Sequence, residues 1–378
     1  MYDVSMSKSR VVKLTEELIK IPSVTKDGNK AITDRLEEIV KSFDFTTERY
    51  TFKDRFGTTK HNLIAKLGKG KGGIGFFVHS DTVPVSDDWQ GFEPRIEDGL
   101  LYGRGSCDMK GPIAAALLAI EDLKAKDLKK PVYFVAAADE EWGLQGAKHI
   151  TRSKNMLTQD SWPDMGIVTE PTELIPVYAH KGAYHIEVTA HGKAAHSSTD
   201  LGKSANFMIA PFLAEMAEFR EKLMVDKSYM NFEFNPPTNG LNLVINDYKT
   251  AHNVTAAKST AALNFRTMPN SREQDIANYI EERAKAYGFD FKGGGIEPFY
   301  TDKNSEVISL ALAATGKKEA MTVPYGTDAL MYQPFMDQVV LGPGNIEQAH
   351  TVDEFIDIKE LEESVEVYRK MVESYSLK

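Results

Sequence analysis

The chain has 378 residues, a net charge of −10 and one cysteine. Its 42% hydrophobic and 26% charged residues are the balance of an ordinary globular protein, which excludes a largely disordered, collagen-like or coiled-coil chain. An acidic chain lacks the electrostatic footprint of a nucleic-acid binder. No stretch approaches 18 uncharged apolar residues, so no membrane span is expected. A lone Cys107 can form neither an intrachain disulfide nor a cysteine-based zinc finger. The opening MYDVSMSKSRVVKLTEELIKI carries charges throughout and has no apolar signal-peptide core. A cytoplasmic protein of about two domains is expected, with no nucleic-acid or membrane partner.

Val11, Leu14 and Leu18 recur at helical spacing over residues 8–20, and Pro22 stops them. A second amphipathic helix fits 32–43. The run GKGKGG at 68–73 reads as a hairpin tip, because it lacks the GxxxxGK[ST] spacing of a phosphate loop. Short apolar runs follow at 74–78, 131–138 and 165–169, each ending in acids or histidine. Between the first two, 111–126 is rich in Ala and Leu and reads as a buried helix. Strand, helix, strand is the pattern of a parallel or mixed sheet covered by helices.

From 183 the rhythm changes. Tyr184, Ile186 and Val188 alternate with polar residues, as in an antiparallel strand with one wet face. A helix over 204–223, strands at 241–246 and 260–267 and a helix over 273–287 then describe a small α+β sandwich. Phe207, Phe212 and Phe219 fall at helical spacing and read as core or subunit interface. Three consecutive glycines at 293–295 suggest a hinge back. Strands at 321–323 and 338–341 resume the first pattern, and an amphipathic helix over 358–375 closes it. The expected fold is an α/β mixed-sheet domain, 1–181 and 295–378, interrupted by an inserted α+β sandwich domain, 182–294.

The acids and histidines gather where chemistry is expected. His79 and Asp81 follow IGFFV, Asp108 follows GRGSC, Glu140 and Glu141 follow VYFVAAAD, Glu170 follows MGIVT, and His350 follows VVLGPG by several residues. Open α/β sheets bind ligands at the carboxyl ends of their strands. Nitrogen and oxygen donors without a thiolate suit zinc, cobalt or manganese at a catalytic site. Carboxylates crowded into one cleft repel each other unless cations relieve them. His79 and Asp81 point the same way from extended chain, so Asp81 can hold the second ring nitrogen of His79. Adjacent Glu140 and Glu141 face differently, so one can ligate while the other stays free as a base. Cys107 beside such carboxylates reads as a packing residue, because their charge disfavours a thiolate.

Seven segments carry a resemblance: HSDTVP at 79–84, GRGSCDMKG at 103–111, ADEEWG at 138–143, TEPT at 169–172, HGKAAHSS at 191–198, GTDA at 326–329 and AHTVDEF at 349–355. In this order they resemble the dinuclear zinc metallopeptidase family of acetylornithine deacetylase, succinyl-diaminopimelate desuccinylase, aminoacylase and the glutamate carboxypeptidases. The resemblance implies two divalent ions, zinc with cobalt or manganese as substitutes. Asp108 would bridge them, His79 and Glu170 would complete one site, and Glu141 and His350 the other. Asp81 would orient His79, and Glu140 would be the general base that activates a bridging water. His196 would act on a partner subunit's site in a homodimer formed through the inserted domain. Asn253, Arg266, Gly326 and Thr327 match substrate-binding positions, and the Asp108–Met109 peptide would be cis. The chain departs from the family pattern at Thr255–Ala256, at Asn264 and in the SSTDLGKSA stretch after His196, all outside the metal motifs. The implied activity is hydrolysis of the amide of an N-acyl amino acid. The alternative is a metallo-carboxypeptidase or dipeptidase acting on a short peptide.

Overall fold

The computed structural model describes residues 8–159, 162–269 and 271–377. It divides into two compact units, one of Met1–Tyr178, Thr301–Met321 and Thr327–Lys378, the other of Ala179–Tyr300 and Thr322–Gly326. The first unit opens with helices α1 (Arg10–Ile19) and α2 (Lys30–Ser42). An antiparallel pair follows, β1 (Thr46–Lys53) and β2 (Thr59–Leu67), then β3 (Ile74–His79). Short strands β4 (Arg95–Glu97) and β5 (Leu100–Tyr102) precede helix α3 (Lys110–Ile120), strand β6 (Val132–Ala137), helices α4 (Gln145–Arg152) and α5 (Met156–Gln159) and strand β7 (Met165–Val168). Strand β8 (Val177–His180) leads into the second unit.

Every residue of β3, β6 and β7 is buried, so these strands read as unbroken apolar runs rather than as alternation. The glycine-rich 68–73 segment is not a hairpin tip. It joins β2 to β3, which do not pair with each other; both pair with β6. Helix α3 is buried all round against α1 and the late helix over Ile358–Val372, which explains its Ala/Leu composition without a polar face. It stops at Ile120, short of the expected 126, where the chain turns polar.

The second unit is a four-stranded sheet with two helices. Its elements are β9 (Ala183–His191), α6 (Ala205–Val225), β10 (Asn242–Asn246), β11 (Lys258–Phe265), α7 (Glu273–Ala286), β12 (Asp290–Ile296) and the short β13 (Phe299–Tyr300). The four-strand order is β10-β11-β9-β12, antiparallel throughout. Ile186, Val188 and Ala190 point into a core shared with Ile209, Phe212 and Phe219 of α6, while Phe207 stands 85% exposed. The three glycines form no hinge. Gly293, Gly294 and Gly295 lie inside β12, paired with Ile186, His185 and Tyr184. Glycine carries no side chain to betray a strand, and here Tyr184 lies so close to Gly295 that a Cβ would meet its ring at 2.4 Å.

His180 is fully buried in this unit beside Phe299, and its Nδ1 faces the Lys181 carbonyl at 3.1 Å. Burial pushes its pKa down to about 4, with Arg266 acting in the same direction. The folded chain therefore binds fewer protons here than the unfolded chain between roughly pH 6.5 and 4. Stability contributed above the unfolded value is lost as pH falls through that window, up to ~3 kcal/mol. Replacing His180 with Gln is expected to flatten the acid limb of stability against pH, measured by urea denaturation across that range.

Next come α8 (Glu306–Thr315) in the first unit, β14 (Met321–Val323), which runs into the second, and then, in the first unit again, α9 (Ala329–Tyr332), β15 (Asp337–Val340), β16 (Phe355–Asp357) and α10 (Ile358–Val372). Strand β15 joins β7 in parallel, which gives the sequence of neighbours β1-β2-β6-β3-β7-β15. Its central strands β6, β3, β7 and β15 are parallel, so their carboxyl ends share one edge. That edge receives the acids and histidines.

Candidate metal centre

Each donor reaches this edge by a local device. His79 is the last residue of β3, and Glu170 sits two residues beyond β7. Beyond β6 the chain reverses sharply. Asp139 takes a left-handed φ of 54°, and Gly146 brings the start of α4 so near that a Cβ there would meet the Ala138 carbonyl at 2.1 Å. This reversal presents Glu140 and Glu141. Asp108 lies in the loop before α3, next to a cis Asp108–Met109 peptide. His350, with φ of 64°, follows the glycine turn after β15.

Two groups of donors result. Donor atoms of His79, Asp108 and Glu170 all lie within 4.8 Å of one another, as do those of Asp108, Glu141 and His350. Asp108 belongs to both. Its Oδ1 is 2.8 Å from His79 Nε2 and its Oδ2 is 3.4 Å from His350 Nε2. Glu141 Oε2 is 2.8 Å from His350 Nε2, and Glu170 Oε1 is 3.7 Å from His79 Nε2. The two oxygens of one carboxylate thus face two separate donor sets.

The electrostatics fit divalent cations. Burial pushes Glu170 well above the ordinary carboxyl range, and the charges of Asp108, Asp328 and Glu141 add to it. Burial likewise raises Glu141, whose Oε1 is buried without a hydrogen-bond partner. Burial acts to raise Asp108 too, but the hydrogen bonds to His350 and His79 outweigh it and hold the group low. His350 is lifted to about 10 by Asp108 and Glu141. Five donors of nitrogen and oxygen type, three of them carboxylates, suit a pair of divalent cations.

Glu140 stands in neither group. Burial pushes its carboxyl well above the usual range, opposed by His79 and reinforced by Glu170, Asp328 and Glu141. Its amide donates to Asp81 Oδ1 at 3.1 Å, and Asp81 Oδ2 accepts from the Thr25 hydroxyl at 2.9 Å. The atom of Asp81 nearest His79 Nδ1 is its main-chain carbonyl oxygen at 3.1 Å, with the carboxylate 3.7 Å away. Asp81 therefore ties the β3 end to the loop that carries Glu140. Beneath that loop lies Lys60, fully buried, 2.7 Å from Asp139 Oδ1, 3.4 Å from Asp54 Oδ2 and donating to the Thr25 carbonyl. A cavity of about 170 Å³ opens beside Glu141, walled in part by Val24, Val83, Pro84 and Trp142.

Four sequence candidates belong to the second unit, and Thr327 to the first. His196 forms an isolated antiparallel bridge with Val254, and Ser197 N–H donates to the Asn253 carbonyl at 2.9 Å, so His196 and Asn253 are neighbours. The Nδ1 of His196 is 2.7 Å from the Ser198 hydroxyl. Arg266 is an exposed side chain whose main chain is paired with Asn239. Gly326 is exposed. Thr327 is buried and its hydroxyl accepts from Ala329 N–H. Cys107 is buried, its thiol pushed well above the ordinary value by burial and by Glu354 and Asp108, as a packing residue requires.

Sequence reasoning passes over Thr25, Lys60 and Glu354, and takes Asp328 only as the end of the 326–328 substrate-contacting loop. Asp328 and Glu354 stand inside GTDA and AHTVDEF, so their motifs mark them, but nothing in the sequence says what they touch. Asp328 is fully buried with neither carboxyl oxygen hydrogen-bonded, and burial lifts it to about 7.

Residues 75–374 match the family described as peptidase family M20/M25/M40. The chain is 29% identical to an acetylornithine deacetylase of Proteus mirabilis over 97% of each chain. It is 32% identical to one of Myxococcus xanthus over 91% of this chain and 92% of that one. Among solved structures it resembles a tripeptidase from Staphylococcus aureus, with a TM-score of 0.75, 21% identity and 97% of both chains covered.

Proposed function

The chain belongs to peptidase family M20/M25/M40 and is a metal-dependent hydrolase of amide bonds, and from that premise we propose that it deacylates an N-acyl amino acid, as acetylornithine deacetylases and desuccinylases do. The observation that carries the proposal is the pair of donor groups sharing Asp108, with Glu140 beside them but in neither.

In this reading His79, Asp108 and Glu170 hold one divalent ion and Asp108, Glu141 and His350 the other, zinc by preference and cobalt or manganese as substitutes. Such ions supply Lewis acidity toward the amide carbonyl and the attacking water. Glu140 takes the proton from the water and returns it to the leaving nitrogen. Its raised proton affinity, caused by burial, favours accepting the water's proton and carrying it to the leaving nitrogen. Asp81 and Thr25 hold the Glu140 main chain in place. The carbon-walled cavity beside Glu141 suits the apolar part of an acyl group.

The inserted domain, 182–294, is the lid and dimerisation domain in this proposal. Its edge strand β10 exposes Val244 and Ile245, 58% and 53% accessible, and α6 exposes Phe207. An unpaired edge with exposed apolar side chains favours a second copy of the chain. His196 would then stabilise the oxyanion in the partner's site, with Asn253, Arg266, Gly326 and Thr327 contacting substrate. No helix among the described residues is long and apolar enough to cross a membrane, and the proposed setting is the cytoplasm.

Free-amine release from N-acetylornithine, N-succinyl-diaminopimelate, other N-acetyl amino acids and dipeptides, with zinc or cobalt added, tests the reading. Release from an N-acyl amino acid, lost with a chelator and restored by metal, is expected. Release from dipeptides alone would replace the deacylase with a dipeptidase that uses the same residues.

A further inference from the structure

Glu354 is fully buried, and nothing in the reaction proposed above uses it. Strand β16 starts at the next residue and pairs with β5, Phe355 opposite Tyr102, so Glu354 is delivered beneath the loop that leads to Asp108. There its carboxylate meets four donors. Oε2 accepts from Arg104 Nη1 at 2.7 Å and from Gly105 N–H at 3.0 Å. Oε1 accepts from Cys107 N–H and from Asp108 N–H, both at 2.9 Å. Its own carbonyl accepts from Gly103 N–H at 2.9 Å. Two oxygens with about four lone-pair sites are thus fully engaged. Three of the four donors are main-chain amides of one short loop.

We propose that Glu354 is a positioning residue for Asp108, fixing the 105–108 main chain so that the Asp108 carboxyl presents one oxygen to each donor group. The proposal rests on the metal reading above. Asp108 Oδ1 faces His79 and Oδ2 faces His350, and a small rotation of its Cα–Cβ bond would spoil both at once. Glu354 also lies four residues after His350, so one carboxylate anchors the segments carrying two ligands that are far apart in sequence. Partners behind the ligands commonly govern metal affinity in this way, their loss weakening it 10- to 100-fold. Arg104 serves a different end. It neutralises Glu354, donates to the Pro84 carbonyl and lies over the Trp89 ring, but it touches no ligand main chain.

The test titrates the metal-free full-length chain with cobalt, followed by visible absorption and by competition with a chelator, alongside its melting temperature. Glu354→Gln places an amide donor where two donors already point. It is expected to weaken cobalt binding about 10- to 100-fold and to shift the cobalt spectrum, because the ligand geometry changes. Arg104→Met removes a comparable buried contact while leaving the three amide hydrogen bonds. It is expected to lower the melting temperature with cobalt affinity and spectrum near wild type. If Glu354→Gln is insoluble, Glu354→Asp, shorter but charged, is expected to weaken binding in the same sense. Wild-type affinity and spectrum in a folded Glu354 variant would overturn the proposal and leave the residue a plain stabiliser. Equal losses in the Arg104 variant would overturn it too. Failure of the wild-type chain to bind cobalt would strike the metal reading instead.

Discussion

Replacing Glu140 with Gln is expected to lower kcat by about 10²–10⁴-fold, the range a positioned general acid–base group supplies, while the chain keeps its full metal content. Glu140 is outside both donor groups, so removing its charge leaves all five ligands in place. Its main chain is held by Asp81 rather than by its side chain, so the loop needs no carboxylate at 140 to keep its course. The amide of Gln is close in size but can neither accept the water's proton nor deliver one to the leaving nitrogen. Metal analysis of the purified variant beside initial rates on the best N-acyl substrate makes the measurement. Near-normal kcat would remove Glu140 from the proposed mechanism. Loss of metal would instead make it a ligand.

The second large effect is expected at Asp108. Asp108→Ala should reduce bound metal from two ions toward none and bring turnover down by at least about 10³-fold, the worth of several kcal/mol of Lewis-acid stabilisation. The contrast with Glu170→Ala is the informative part. Glu170 belongs to one group only, so its loss should weaken one ion and spare the other. Asp108 belongs to both, and its two oxygens cannot be replaced by any neighbour. Of the other acids nearby, Asp81 is committed to Thr25 and the Glu140 amide. Asp328 lies in neither donor group. Stoichiometry by elemental analysis, on both variants prepared alike, decides it. Asp108→Ala retaining two ions would refute the shared-ligand geometry.

Much of this was readable from single residues and short runs. The buried parallel strands announced themselves because both faces are covered, so IGFFV and VYFVAA contain no polar residue to interrupt them. A histidine or acid just past such a run sits at the open end of the sheet whatever the rest of the chain does. That is why His79, Glu140, Glu141 and Glu170 stood out as candidates before any contact was known, whereas Asp108, in the loop before α3, and His350, several residues past β15, stood out only through their motifs. The alternation of Tyr184, Ile186 and Val188 was legible because one face of β9 is wet and the other lies against a core.

Which segments meet was settled only on folding. The 68–73 glycines looked like a hairpin tip, yet β2 and β3 lie on either side of β6, a strand that begins some sixty residues later. The glycines of β12 looked like a hinge because they have no side chains to show a period, and only the facing register with β9 makes them a strand. Glu354 and Lys60 carried no signal of their own. Glu354 acts on a loop about 250 positions earlier, and Lys60 of β2 on Asp139 just past the neighbouring strand β6, about 80 positions later. Which donors the chain offers, and which of them follow apolar strands, is legible residue by residue, because side-chain chemistry and the periodicity of burial are local. How those donors are oriented was left to the folded chain, because a buried carboxylate takes its direction from amides that come near it only after the long loops have closed.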